Sequence, residues 1–214
     1  MNYDAQNRIS SITDPLFRSI VFNYDGAGRI TRQMLPDGRE INYMYDANGN
    51  VTSITPPSRP NHSFTYTPVN LEETYTPPVA APFTGANTTT YTYNLDKQLT
   101  LITRPDGQTV SLDYDTGGRL STMTIPDVIA SGAKQSISYS YNSTTGNLST
   151  ISNVGQSLSF AYDGSLFKGT TWTGSIAGNV GFIYNNDFRI TTETVNGANS
   201  VSYLYDNDGL LTGA

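Results

Sequence analysis

Residues 24–54 read YDGAGRITRQMLPDGREINYMYDANGNVTSI, and the Tyr-Asp pair that opens the stretch returns 21 positions later at Tyr45. A tyrosine and an aspartate ahead of a glycine-containing turn can belong to a carboxylate site or to the corner of a repeated β-hairpin. The rest of the chain decides between them. An equivalent tyrosine stands at Tyr3, Tyr24, Tyr45, Tyr66, Tyr93, Tyr114, Tyr141, Tyr162, Tyr184 and Tyr205, in steps of 21, 21, 21, 27, 21, 27, 21, 22 and 21 residues. Self-similarity at a fixed period is the mark of a repeat architecture, so the sequence predicts ten tandem units across residues 1–214. The two long steps contain TPPVAAPFTGAN and PDVIASGAKQS, which read as loop insertions near 76–88 and 126–136.

Two residues before each tyrosine stands a large apolar side chain, as in Phe22, Tyr43, Phe64, Tyr91, Leu112, Tyr139, Phe160 and Phe182. Four before it the residue is again apolar in most units, with His62 and Thr89 as exceptions, whereas the intervening positions are small or polar. A period of two with one apolar face is a β-strand, and neighbouring repeats can stack their aromatic rings as cross-strand pairs. After the tyrosine comes D-x-x-G, in Asp25–Gly28, Asp46–Gly49, Asp115–Gly118 and Asp206–Gly209. Asn142 and Asn185 replace the aspartate elsewhere, and Asn7 replaces the glycine. An Asp or Asn side chain accepts backbone N–H bonds within a turn, and Gly or Asn tolerates the positive φ that a short hairpin loop demands. A second strand follows, and its apolar residues sit three apart, as in Leu120 with Met123 and Leu148 with Ile151. That spacing calls for a β-bulge. The PDG triplets at Pro36–Gly38 and Pro105–Gly107 supply the return turn.

Composition agrees with a turn-rich β protein: 15 Tyr, 19 Gly and 11 Pro against 14% charged residues. The net charge of −6 with scattered Lys and Arg argues against nucleic acid and against anionic membrane surfaces. The absence of cysteine rules out disulfides and thiolate metal sites. No apolar run reaches the roughly 20 residues of a membrane-spanning helix. The first repeat is under way at Tyr3 and the sequence stops on YDNDGLLTGA, which predicts a piece of a longer array.

These residues resemble the YD-repeat, or Rhs-repeat, family, whose pattern is close to Y-D-x-x-G-R/N-L/I-x-x-I every 21 residues or so. The resemblance covers essentially the whole chain, with the units at Tyr66 (YTPVNLEE) and Tyr184 (YNNDFRI) departing furthest from it. It implies a single curved, spiralling antiparallel sheet that forms part of a hollow shell, as in bacterial polymorphic toxins, toxin-complex C components, wall-associated proteins and teneurins. It further implies a structural, non-enzymatic wall segment that encloses a C-terminal toxin cargo, in a bacterial protein that is secreted or displayed at the cell surface. Neither a cargo domain nor the core region that releases it in toxin members is found in these residues.

The resemblance makes Tyr24, Asp25, Gly28, Tyr45, Asp46, Gly49, Tyr114, Asp115, Gly118, Tyr205, Asp206 and Gly209 the structural repeat motif. No catalytic residue, metal ligand or cofactor is expected: a calcium loop needs more oxygen ligands, including a late bidentate Glu, than DNDG at Asp206–Gly209 offers. Arg8, Arg29, Arg119 and Arg189 follow the turn and read either as an anion-binding row or as partners of the aspartates. The lone histidine, His62, reads as a strand residue in an apolar slot. The alternative function is a carbohydrate- or cell-surface-binding module of an adhesin or wall-associated protein, with Trp172 as a stacking platform; Trp172 also reads as one more aromatic of a β-sheet. Partners are then neighbouring repeats and the toxin cargo, or a carbohydrate.

Overall fold

The computed structural model describes residues 1–79, 85, 87–126 and 135–214. The two loop insertions read from the sequence fall largely outside the described residues. Secondary structure among the described residues is entirely β, and every paired strand is antiparallel to its neighbour in sequence.

The chain divides into two compact units, Met1–Thr109 and Val110–Ala214. The first holds β1 (Asn2–Tyr3), β2 (Ile9–Thr13), β3 (Ser19–Tyr24), β4 (Ile30–Met34), β5 (Glu40–Tyr45), β6 (Val51–Thr55), β7 (His62–Tyr66), β8 (Glu72–Thr76), β9 (Thr89–Tyr93) and β10 (Leu99–Thr103). They form a meander in chain order, each strand pairing with the next. The second holds all but the first residue of β11 (Thr109–Tyr114), then β12 (Leu120–Ile125), β13 (Gln135–Tyr141), β14 (Leu148–Asn153), β15 (Gln156–Asp163), β16 (Leu166–Thr173), β17 (Gly178–Tyr184), β18 (Ile190–Val195) and β19 (Asn199–Ser202) as a second meander. A short hairpin of β20 (Leu204–Tyr205) and β21 (Leu211–Gly213) follows.

Each hairpin obeys one register rule. Phe22 faces Gln33, Tyr43 faces Ile54, Phe64 faces Tyr75, Leu112 faces Met123 and Tyr139 faces Ile151. Two residues later the register slips by one: Tyr24 faces Ile30, Tyr45 faces Val51, Tyr114 faces Leu120 and Tyr141 faces Leu148. The extra residue, Thr31 or Ser121 for example, is a β-bulge. It returns both apolar residues of the second strand, Leu120 and Met123, to the side of the tyrosine, which accounts for their spacing of three.

Within each unit, no second layer of described residues covers the apolar face. Among the described residues no apolar side chain is fully buried, and only Ser53, 8% exposed, and Gly169 count as buried. The aromatic rows are half-covered, each ring sheltered by the strands beside it. Phe167, for example, packs 6.4 Å from Phe160 and 5.9 Å from Phe182 between ring centroids. Burial of that kind contributes less than a closed core would, so the contacts at the ends of the hairpins carry a correspondingly larger share of the stability.

Candidate functional site

Those end contacts form a seam in which every residue of the motif has a partner. Asp25 opens the turn: its Oδ1 accepts the backbone N–H groups of Ala27 and Arg29, both at 2.9 Å. Gly28 donates its N–H to the Asp25 carbonyl at 3.1 Å and lies at φ +83°, in the left-handed region where a side chain is strained. Gly49 and Gly118 occupy the same place at φ +96° and +76°. Where glycine is missing the conformation persists at a cost: Asn7, Asn70, Lys97, Phe17 and Phe188 all lie at φ between +60° and +64°.

The arginine after the turn binds both its own repeat and the next. Arg29 Nε donates to Asp25 Oδ2 at 2.7 Å, and its Nη1 donates forward to the Asp46 carbonyl at 3.1 Å. Its guanidinium lies 4.5 Å over the Tyr45 ring. Arg8 repeats the arrangement with Asp4, the Asp25 carbonyl and the Tyr24 ring at 4.4 Å. Arg119 pairs with Asp115 and lies 4.4 Å over Tyr141. Arg189, whose turn opens with Asn185, lacks that carboxylate and sits 5.7 Å from the Tyr205 ring. Of the two sequence readings, the four arginines divide: three are held by the turn aspartate, and all four meet the ring of the repeat that follows.

The backbone N–H of Arg29, with its guanidinium, holds the Asp25 carboxyl below the usual carboxylate range. The Arg119 guanidinium does the same for Asp115, and the Asn50 amide for Asp46. Asp46 shows how the turn accommodates a neutral partner, since its Oδ2 accepts from Asn50 Nδ2 at 2.8 Å. In the fifth unit both partners are neutral, Asn94 Nδ2 donating to Gln98 Oε1 at 2.9 Å.

The anchor tyrosine does more than its aromatic bulk suggests. Tyr45 donates its hydroxyl proton to the Ile30 carbonyl of the preceding hairpin at 2.7 Å, and burial holds the phenol above its ordinary pKa. The reason lies in the bulge: β4 pairs with β5 only from Arg32 to Met34, so the Ile30 carbonyl has no partner across the gap. Tyr24, Tyr66, Tyr93, Tyr141, Tyr184 and Tyr205 close the same gap on Ile9, Val51, Glu72, Leu120, Phe167 and Ile190, at 2.6–3.0 Å. Tyr162 is different. It is followed by a tight turn in which Asp163 faces Leu166, and its ring meets Phe167 edge-on at 5.7 Å. The sequence signal for the hydroxyl was the choice of Tyr over Phe at this position throughout, while Phe and Tyr interchange two residues earlier.

Trp172 and His62 lie on the apolar faces. Trp172 faces Leu158 on one side and Gly178 on the other, and its ring occupies the space a Cβ on Gly178 would need. It lines a cavity of about 420 Å³ with Ile137, Ile151, Leu158, Asn153, Gln156 and Ile176 among others. His62 shares a 2.7 Å hydrogen bond between Nδ1 and the Tyr75 hydroxyl. Among the described residues no group of three or more His, Cys, Asp or Glu side chains is placed to hold a metal ion. Among the described residues no helix is long and apolar enough to cross a membrane.

A meander of bulged hairpins, most of them stitched to the last by a tyrosine and four of them set against the next by an arginine, defines a structural repeat whose unit joins copies of itself in a row. The chain belongs to the Teneurin YD-shell family, whose model matches residues 1–214. Similar solved structures include the crystal structures of TcdB2-TccC3-TEV (TM-score 0.57, 13% identity, covering 98% of this chain and 13% of that one) and of TcdB2-TccC3 (TM-score 0.54, 14% identity, covering 98% and 14%). A third is TcdB2-TccC3 without its hypervariable C-terminal region (TM-score 0.53, 14% identity, covering 90% and 12%). At such identities the likeness is one of fold, and the chain spans about an eighth of their length. No curated protein matches the chain in sequence.

Proposed function

We propose that this chain is a non-catalytic wall segment of a hollow YD-repeat shell that encloses a C-terminal polypeptide cargo, in a bacterial protein that is secreted or displayed at the cell surface. The observation that carries the reading is the repeat seam on a sheet with no second layer: strand after strand is locked to its neighbours, yet one face remains apolar and only half-covered. A monomeric globular domain would fold a second layer onto that face. A wall leaves it free for what it surrounds. Membership of the YD-shell family and the likeness to shell-bearing toxin-complex structures support the same reading. The twelve motif residues then serve the wall, with Asp and Gly shaping each turn and Tyr holding its hairpin to the one before it.

The test is protease protection. The polypeptide encoded in frame after these repeats is expected to resist digestion while the repeats are folded and to become sensitive when they are unfolded. Equal digestion in both states overturns the enclosure. A second reading, carbohydrate binding, is favoured by the cavity in which Trp172 stands beside the amides of Asn153 and Gln156. Saturable quenching of Trp172 fluorescence by oligosaccharides is the result that would establish it.

A further inference from the structure

Glu72 breaks the pattern of its own repeat. The position that follows the turn and faces the anchor tyrosine is apolar in other hairpins, where Ile30 faces Tyr24, Val51 faces Tyr45 and Leu120 faces Tyr114; in β8 the residue facing Tyr66 is Glu72. The bulge turns this side chain to the apolar side of the sheet, where it lines a cavity of about 400 Å³ with Ile54, Pro56, His62, Phe64 and Tyr75. No cation and no hydrogen-bond donor meets its carboxylate among the described residues, whereas other half-covered carboxylates have partners: Asp25 and Asp115 each hold an arginine, Asp46 the Asn50 amide and Glu193 the Tyr203 hydroxyl. The insertion that follows, residues 77–88, contains no Lys, Arg or His that could reach back to it.

One wall of the cavity is a continuous stack of rings. Tyr75 lies 5.9 Å from His62 with the planes 8° apart, and 5.2 Å from Phe64 with the planes 25° apart. The hydrogen bond between His62 Nδ1 and the Tyr75 hydroxyl fixes the two ring planes. Beyond them the Tyr91 phenol is raised first by burial and next by the Glu72 charge, which places that charge within electrostatic reach of the neighbouring strand. A half-covered anion without a partner is unfavourable against an aromatic wall. Aromatic faces and a carboxylate attract the same thing, a cation with an apolar skin. A divalent metal is a poor match, because it needs several oxygen ligands and the cavity offers one carboxylate. The volume falls in the range of small-molecule sites.

We propose that this cavity binds an organic cation, a quaternary ammonium or alkylammonium group, seated against the His62–Tyr75–Phe64 stack with its charge facing Glu72. His62 is the sole histidine of the chain, so its imidazole protons are a unique NMR reporter at the site. Titrating the 214-residue chain with choline is expected to shift those resonances saturably, and the neutral carbon isostere 3,3-dimethylbutan-1-ol to do so at least ten-fold more weakly. A parallel titration with Nα-acetyl-lysinamide distinguishes a choline-type headgroup from a lysine side chain as the source of the cation. Glu72→Gln is expected to weaken binding at least five-fold. Glu72→Leu, which restores the apolar residue of the other repeats, is expected to abolish binding while raising the melting temperature, so that loss of binding is separated from loss of fold. Equal response to choline and its isostere, unchanged affinity in E72Q, or no movement of the His62 resonances with either cation overturns the proposal.

Discussion

Tyr45→Phe removes one atom from the protein and tests the seam directly. The ring stays, and with it the Arg29 guanidinium stacked 4.5 Å away; what is lost is the 2.7 Å hydrogen bond from the Tyr45 hydroxyl to the Ile30 carbonyl. A typical intramolecular hydrogen bond contributes about 0.5–1.5 kcal/mol net, and a carbonyl left without any partner costs up to about 3. The Ile30 carbonyl sits on a half-covered strand that water can approach, so the lower range applies and the expected loss is about 1 kcal/mol. For a chain of this size that corresponds to a fall of about 2–4 °C in melting temperature. Tyr45→Leu removes the ring as well, adding the cation–π contact with Arg29, and is expected to cost about 0.5–1 kcal/mol more. Tyr162→Phe is the control, because the Tyr162 ring packs on Phe167 and, among the described residues, its hydroxyl bridges no earlier carbonyl. The assay is urea or thermal unfolding of the three variants beside the parent chain, with amide exchange to localise the loss to β4 and β5. If Tyr45→Phe and Tyr162→Phe are equally benign, the hydroxyl does not hold the repeats together and the account of the motif tyrosine is wrong.

Other consequences are as accessible. Gly49→Val forces a β-branched residue to φ +96° and should destabilise far more than Gly49→Asn, by melting temperature; equal effects would contradict the turn geometry. Asp46→Asn keeps the Oδ1 bond to the Asn50 N–H and can adopt the arrangement seen between Asn94 and Gln98, so it should be milder than Asp46→Ala. A marked rise in melting temperature on adding Ca²⁺ would show that the aspartates do something other than hold turns. Asp4, Asp14, Asp25, Asp37, Asp46 and Asp115 all have pKa values lowered from 3.8, so their contribution is present above that value and fades as pH falls through the lower folded values. The phenols of Tyr45, Tyr66, Tyr91 and Tyr93 are raised from 10.0, chiefly by burial, so theirs is full below pH 10 and disappears as pH rises beyond it. Denaturant midpoints across pH 2–12 should therefore fall at both ends, and a midpoint flat below pH 4 would remove the carboxylates from the seam.

Strands, hairpins and bulges were legible because each leaves a periodic trace: alternation gives the first strand, D-x-x-G the turn, and the apolar spacing of three the register slip at Thr31 or Ser121. The seam was half-legible. Arg29 could be assigned to Asp25 from their separation of four residues, but its reach to Tyr45 depends on how closely one hairpin lies against the next, which no local pattern encodes. The tyrosine hydroxyl is similar: its target, the Ile30 carbonyl, is any residue's carbonyl as far as sequence is concerned, and only the open ladder beyond Arg32 selects it. Glu72 lies in YTPVNLEE, one of the two units that depart furthest from the pattern. That its carboxylate meets no partner among the described residues is a property of the folded surface and could be seen only there.

The reach of these contacts also bears on how the chain can be made and remade. Tyr45 looks back 15 residues to Ile30, and Arg29 looks forward 17 residues to Asp46. A segment emerging from a ribosome would thus find its stabilising partner among residues synthesised moments earlier, and ordering could travel from the amino end as a front, without waiting for distant parts of the polypeptide. The same locality makes the array a modular tape. Excising residues 24–44 would bring Tyr45 into the place of Tyr24, with Ile9 offering it an equivalent carbonyl. Excising ten residues across a hairpin would leave both tyrosine and arginine without a counterpart, so changes that cut through the hairpins keep the seam only in whole periods, while odd lengths fall in the return loops, as in the two 27-residue steps.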